Sequence, residues 1–478
     1  MVIFAMFFSL MIAATLIQFV SADSLTADSR NPRSLYDSYK TQRGSILVNG
    51  KMVAWSVKTD DKYQYLREFD NPAYSAVTGF YSLAQGTFGI ENSLDSYLSG
   101  KNSSQFFEQV NALLSGNPAS GASIYLTLDP NAQQAAYDAL GKLTGAVVAI
   151  QPSTGKILAL VSTPGFDANR LAVHNTGLAN ANYQTLVNQT NSPLINRAIG
   201  GDLYAPGSVF KIIVASAAFE SGKYQPSTKL PNPKKLRLPG TSTYIYNSGE
   251  GKCGSASTEV TISDALRFSC NIPFAELGMA LGQEAIAAQA QRFGFGKSFK
   301  IPMASTPSEY PSGMDDAQTA LSSFGQFDDK VSPLQMAMVS AAIANNGIMM
   351  QPTLVNSILS PNLSVISSFG NTSLGQVVSQ NTASQVKDMM VGAVAHGVSS
   401  NGRIDGIKVA GKTGTAQNGI GQPYTLWFTG FAPAENPQVA VAVVVANGGG
   451  LGQRGFGNLV AAPIARKVMK AVLNKGNH

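Results

Sequence analysis

The residue pair best suited to chemistry in this sequence is Ser208 and Lys211, in the stretch Ala205-Pro206-Gly207-Ser208-Val209-Phe210-Lys211. Pro206 and Gly207 punctuate a helix start. Residues 208–219 are then apolar almost all round, with Val209, Phe210, Ile212, Ile213 and Val214 leading. A helix without a polar face belongs inside a core. Serine and lysine at i and i+3 share one helical face. An ammonium buried near the start of such a helix is costly to desolvate, which drives its pKa toward neutrality. The resulting amine can take the proton of a neighbouring hydroxyl and make it a nucleophile. An isolated S-x-x-K is far more often a capping serine beside a solvated lysine. The chain holds two such controls: Ser153 and Lys156 sit in a turn between β-rich runs, and Ser384 and Lys387 on an amphipathic helix. Neither precedes an all-apolar helix.

Two further patterns set Ser208 apart. Ser269-Cys270-Asn271 follows downstream of Ser208, between helical runs, and Lys412-Thr413-Gly414-Thr415 lies much further along the chain. The second falls on a predicted strand, where Gly414 would let a ligand approach the backbone closely. Alone, S-x-N is common and Lys412 reads as an edge-strand charge that discourages aggregation. Histidine offers no alternative base, since His174, His396 and His478 stand in no supporting pattern. Cys253 and Cys270 lack the spacing and histidine partners of a metal site. They can form one disulfide in an extracytoplasmic chain or remain two buried thiols. A bridge is expected, because Cys270 lies within the second pattern and a bond would fix its loop.

The elements that position these residues occupy two regions. At 478 residues the chain is too long for one ordinary domain. An apolar content of 44% supplies a large core, and a net charge of +6 drawn from only 13% charged residues contains no basic run. Nucleic acid is therefore excluded as a partner. The positive bias suits an envelope rich in anionic polymers. Residues 1–22 are apolar enough for an uncleaved membrane anchor, with a signal peptide ending at Val20-Ser21-Ala22 as the alternative. The first cations, Arg30, Arg33, Lys40 and Arg43, follow this stretch. Cations upstream of Met1 are expected to reconcile that with an extracytoplasmic body. Residues 23–123 read as a small α+β pedestal with a hairpin about Asn49-Gly50, ending in a Gly/Ser-rich linker near 115–123. In residues 124–478, Asp129 and Pro130 open a helix over 131–140. A hairpin at 145–151 and 156–162 follows, helices fill the middle, and strands at 407–415, 424–431 and 438–447 precede a final helix at 460–473. This order predicts an α+β fold, one antiparallel sheet sandwiched by helices.

Taken together, the three patterns resemble the S-x-x-K, S-x-N and K-T-G signatures of serine acyltransferases that react with penicillin. Further stretches carry the resemblance to class B penicillin-binding proteins. These are Arg43-Gly44-Ser45-Ile46, Gly145 to Ile150 with Gly155 to Ala159, Ser323-Phe324-Gly325-Gln326 with Ser332-Pro333-Leu334-Gln335, and Trp427-Phe428-Thr429-Gly430-Phe431. The short pedestal and overall length look most like the actinobacterial penicillin-binding protein A type. Phe327 departs from the family, which commonly has Gly or a charged residue there. The resemblance implies a penicillin-binding transpeptidase fold and a peptidoglycan D,D-transpeptidase acting on stem peptides that end in D-Ala-D-Ala and inhibited by β-lactams. It implies Ser208 as nucleophile, Lys211 as base, and Ser269 and Asn271 relaying the proton and holding the peptide. Lys412, Thr413, Gly414 and Thr415 would bind the substrate carboxylate, and the N–H groups of Ser208 and Thr415 would form the oxyanion hole. No metal or cofactor is implied. The implied place is the cell membrane, single-pass with the catalytic domain outside, with glycosyltransferases and division or elongation proteins as partners. A D,D-carboxypeptidase, a β-lactamase or a non-enzymatic β-lactam sensor would share the motifs. A fused glycosyltransferase is excluded, because about a hundred residues before the second region leave no room for one.

Overall fold

The computed structural model describes residues 2–17, 39–105, 120–254 and 256–474. A five-stranded antiparallel sheet carries the larger unit, in the spatial order Ala410–Ala416, Thr425–Ala432, Val439–Val445, Gly145–Ile150, Ile157–Thr163. Its first and last strands in the chain are thus brought together, as expected of a sheet whose halves flank a helical middle. The three central strands are buried at every position, so they read as continuous apolar runs rather than alternating ones. Helices cover both faces. Pro130–Leu140 and Gly457–Leu473 pack on one, placing Ala132, Leu140, Ala461 and Val468 against Val147 and Val443. The helix Pro333–Ala344, buried along its whole length, packs on the other. Asp129 caps the first of these helices as expected, its Oδ1 accepting the N–H of Ala132 at 2.9 Å, with Pro130 at the first position.

The pedestal sheet includes strands from the larger unit. It has six strands, in the order Val365–Ser368, Val355–Leu359, Ser123–Leu126, Ile46–Val48, Lys51–Lys58, Tyr65–Phe69. The Asn49-Gly50 turn joins Ile46–Val48 to Lys51–Lys58 as predicted, with both turn residues at positive φ. However, Val355–Leu359 and Val365–Ser368 come from the larger unit and pair onto Ser123–Leu126. The two regions therefore share one sheet across position 123. Most of the predicted linker, residues 115–119, lies outside the described residues.

At the N-terminus the described helix is Val2–Thr15, whose 14 residues rise about 21 Å at 1.5 Å each. That is less than the roughly 30 Å of a bilayer core. No helix among the described residues is long and apolar enough to cross a membrane. The expected span over residues 1–22 includes residues 1 and 18–22, which lie outside the described residues.

One buried charge cluster fixes the pedestal. Arg43, from the Arg-Gly-Ser-Ile stretch, donates through Nε to Glu91 Oε2 at 2.5 Å and through a second nitrogen to Asp95 at 2.6 Å. Arg67 Nε donates to the other oxygen of Glu91 at 2.7 Å. Burial alone would push the Glu91 carboxyl up, but the guanidinium groups of Arg67 and Arg43 hold it below the ordinary carboxylate range. Glu91 is fully buried, and Arg43 and Arg67 are nearly so. Removing the carboxylate strands Arg67 in a dry site and leaves Arg43 with Asp95 alone, which costs about 3–5 kcal/mol for a broken buried pair. Glu91→Ala is thus expected to lower stability by that amount in chemical denaturation of the full chain. A change below about 1 kcal/mol would mean the cluster is solvated.

Candidate active site

Ser208 lies in a short turn just before the α-helix and not on the helix itself. Gly207–Phe210 forms a 3-10 turn, and the α-helix proper is Lys211–Glu220, buried from Lys211 to Phe219. Lys211 therefore stands at the very start of a buried helix, with its side chain fully out of water. Its Nζ lies 2.9 Å from Ser208 Oγ, 2.9 Å from Asn271 Oδ1 and 2.8 Å from the carbonyl of Ser269. The latter two are pure acceptors. A neutral amine meets them with its two N–H bonds and turns its lone pair to the Ser208 hydroxyl. Burial holds the Lys211 amine well below the ordinary lysine range, and the neighbouring Lys412 charge lowers it further.

The second pattern enters through an unusual backbone. Ser269 has φ +59, a left-handed conformation that a non-glycine residue adopts only under constraint. The turn is tied by Cys270 N–H to the Ala265 carbonyl at 2.8 Å and by the Cys253–Cys270 disulfide, with Cα atoms 5.7 Å apart. The expected bridge is present. In this conformation the two ends of Ser269 serve different lysines. Its carbonyl faces Lys211, while its hydroxyl lies 2.6 Å from Lys412 Nζ. The hydroxyl is thus linked to Lys412, whereas the expected relay ran from Lys211. Asn271 is held at both ends, with Oδ1 toward Lys211 and Nδ2 donating to the Tyr246 carbonyl at 3.1 Å. Its backbone N–H and that of Ile272 both donate to Asn247 Oδ1, at 2.9 and 3.0 Å.

Lys412 projects from Ala410–Ala416, the edge strand of the five-stranded sheet. It is fully buried, which overturns the edge-charge alternative, and burial brings its pKa down to about 7. The space expected for a ligand at Gly414 is taken by the chain itself. A Cβ there would lie 2.8 Å from the Pro206 carbonyl and 3.1 Å from Trp427 Cβ. Trp427 also donates its indole N–H to the Ala205 carbonyl at 2.9 Å. The K-T-G strand and its neighbour thus clamp the residues just before Ser208. On the other side Gly325, at φ +78, approaches Gly207 so closely that a Cβ would sit 2.0 Å from its carbonyl oxygen. Gly207 N–H returns the contact by donating to the Gly325 carbonyl at 2.8 Å. The Ser-Phe-Gly-Gln stretch is therefore a backbone wall for the nucleophile turn. Phe327, the departure from the family, has φ +65, which accounts for glycine being common at that position.

The strand edge contains a residue that the sequence patterns missed. Ser399 follows the helix Gln380–His396 and is fully buried. Its Oγ accepts the N–H of Thr413 at 3.0 Å and lies 3.2 Å from Thr413 Oγ1. Outward-facing N–H groups alternate along an edge strand, so capping Thr413 leaves Thr415 as the next one. Thr415 accepts the N–H of Gly457 at 3.2 Å through Oγ1 and so keeps its own proton available. Ser399 begins one of several S-x-N patterns in the chain, a signal too common to single it out. The contact exists because the chain turns back after the helix and brings Ser399 beside Thr413. The controls lie elsewhere: Ser153 in the turn between Gly145–Ile150 and Ile157–Thr163, and Ser384 on Gln380–His396.

The comparisons with known proteins agree with this geometry. The family model "Penicillin binding protein transpeptidase domain" matches residues 145–470. The chain belongs to that family. A second model, "Penicillin binding protein A dimerisation domain", matches residues 43–124. The chain is 40% identical over 474 residues to the peptidoglycan D,D-transpeptidase PbpA of Mycolicibacterium smegmatis, covering 97% of this chain and 96% of that protein. It is 38% identical over 483 residues to PbpA of Mycobacterium tuberculosis, covering 98% and 97%. Among solved structures, the ceftriaxone acyl-enzyme complex of penicillin-binding protein A from M. tuberculosis superimposes with a TM-score of 0.88 at 38% identity. That match covers 92% of this chain and all of that one. The mixed α/β penicillin-binding transpeptidase fold expected from the motifs is thus the fold of this family member.

Two outcomes test the site. Ser399→Ala leaves a buried N–H without a partner, at about 1–3 kcal/mol. It should slow acylation by penicillin as the Thr413 backbone shifts, while Ser399→Thr restores both stability and rate; an Ala variant equal to wild type would remove Ser399 from the site. The second outcome concerns pH. Lys412 loses its proton near pH 7 in the folded chain, against 10.5 for an ordinary lysine. Between those values the unfolded chain binds more protons, so stability rises with pH, by up to about 1.4 kcal/mol per unit from this group. Denaturation midpoints between pH 7 and about 9.5 should climb less steeply for Lys412→Met than for wild type. Equal slopes would place the ammonium in solvent.

Proposed function

We propose that this family member is a peptidoglycan D,D-transpeptidase working through an acyl-enzyme on Ser208. The observation that carries the assignment is the unbroken contact series from Ser208 Oγ to the buried Lys211 amine, with Ser269 and Lys412 beside it. Ser208 Oγ attacks the carbonyl carbon of the penultimate D-Ala, and its proton passes to Lys211. The N–H groups of Ser208 and Thr415 hold the oxyanion, each such donor contributing about 3 kcal/mol. As the C–N bond breaks, the Ser269 hydroxyl gives a proton to the departing D-Ala amine, and Lys412 resupplies it. A lysine titrating near 7 suits that exchange. An amine of a second strand then attacks the ester and returns its proton to the Ser269–Lys412 pair. Lys211 reprotonates Ser208 as the new amide forms. Lys412 with the Thr415 hydroxyl binds the donor's terminal carboxylate, Thr413 completing that wall of the strand, and Asn271 steers the donor amide.

The reading extends to the rest of the chain. Residues 23–123 act as a pedestal, their sheet being shared with strands of the larger unit. The helix Val2–Thr15 carries no charge, and its apolar side chains are exposed, Phe4 at 85% and Phe7 at 67%. That supports attachment to the membrane, with the body outside it. The 40% identity to a protein named as a D,D-transpeptidase supports transpeptidation over hydrolysis.

Mass spectrometry of the full chain incubated with a β-lactam is the test. A lasting adduct on the peptide containing Ser208 is expected, lost in Ser208→Ala and kept in Ser153→Ala and Ser384→Ala. Rapid drug turnover without an adduct would indicate a β-lactamase instead, and an adduct that survives Ser208→Ala would refute the assignment.

A further inference from the structure

Beside the site lies a two-stranded arm, Lys235–Arg237 paired antiparallel with Tyr244–Tyr246. Lys235 stands opposite Tyr246, and Arg237 opposite Tyr244. Directly paired residues and alternate residues share a face, so these four side chains form one surface. All four are exposed, the tyrosines at 42% and 44%. Between them Leu236 and Ile245 turn inward, packing with Ile272 and Phe324. The outer face is therefore apolar rings interleaved with cations, and the Lys235 ammonium lies 4.5 Å from the centre of the Tyr244 ring. Residues 229–247 contain four cations and no acid. Among the described residues, Glu259 offsets Lys229 alone of these, at 3.3 Å. The arm is also tied to the catalytic residues, through the Tyr246 carbonyl to Asn271 Nδ2 and through Asn247 to the Asn271 N–H.

We infer that this face docks the anionic glycan–peptide strand that the site cross-links. The inference rests on the transpeptidase reading above. Aromatic rings offer flat amphipathic surfaces for sugar rings, and the cations match the carboxylates of stem peptides. Continuity with Asn271 brings a strand held on the arm to the acyl-enzyme. A cationic polymer would be repelled by such a face. The arm thus supplies affinity for the polymer, and the buried lysines supply the reaction.

The test uses the full chain in detergent and purified, uncross-linked peptidoglycan, with bound protein measured by sedimentation. Replacing three exposed residues together (Lys235→Ala, Arg237→Ala, Tyr244→Ala) should weaken peptidoglycan binding about tenfold. Acylation by a fluorescent penicillin should stay within about twofold of wild type, because that small ligand does not span the arm. Wild-type binding should fall by a similar factor when the peptidoglycan carboxylates are converted to amides, or when salt is raised from about 0.05 to 0.3 M. Unchanged peptidoglycan binding by the variant would overturn the proposal. So would a triple variant whose binding to phosphatidylglycerol vesicles, measured after removal of detergent, falls by a larger factor than its binding to peptidoglycan. If the triple variant also loses acylation, the pair Lys235→Gln and Arg237→Gln takes its place under the same criteria. Failure of the wild type itself to be acylated would strike the transpeptidase reading and not the arm.

Discussion

Two lysine amines buried side by side are the constraint around which the larger unit is arranged. An ammonium costs several kcal/mol to bury, and two neighbouring ones repel as well. The chain accommodates Lys211 by surrounding it with the Ser269 carbonyl, the Asn271 amide oxygen and the Ser208 hydroxyl, a set suited to a neutral amine. Lys412 shares its proton with the Ser269 hydroxyl and the Thr413 carbonyl. Holding that set together takes a sheet edge, a buried helix and a disulfide-braced turn. Stability is given up at the site in exchange for an amine held well below the ordinary lysine range.

Around those lysines the nucleophile turn is confined by backbone rather than by side chains. Gly325 meets Gly207 on one side, Gly414 meets Pro206 on the other, and Trp427 holds Ala205 from the sheet. Such contacts leave no room for a methyl group, so glycine at these places is a packing requirement. The Ser208 hydroxyl is therefore fixed by the main chain of three segments distant in sequence, a rigid setting for a reaction that depends on sub-ångström placement.

How much of this the sequence disclosed follows the range of each interaction. The all-apolar helix behind Lys211, the Asp129 cap and the Asn49-Gly50 hairpin are local patterns, and each was legible. The five sheet strands were legible too, because apolar runs of that length bounded by turn residues have few other fates. Ser269, Asn271 and Lys412 could be gathered only through the family resemblance, since no local pattern joins positions so distant along the chain. Three features were out of reach. Ser399 begins only an S-x-N, a pattern that several other serines of the chain share. The left-handed turn at Ser269 runs against the preference of its residue type and is set by tertiary ties. The short strands at 235–237 and 244–246 are too brief for an alternation to register.

The strand Val355–Leu359 lies beside Ser123–Leu126 in the pedestal sheet, though most of the catalytic unit separates them along the chain. Loop-closure entropy disfavours such pairings until the intervening segment has compacted. On a ribosome, the N-terminal half would emerge with one edge of its sheet unsatisfied and wait for most of the catalytic unit before that edge could close. The order of synthesis and the order of completion are thus reversed for this part of the molecule.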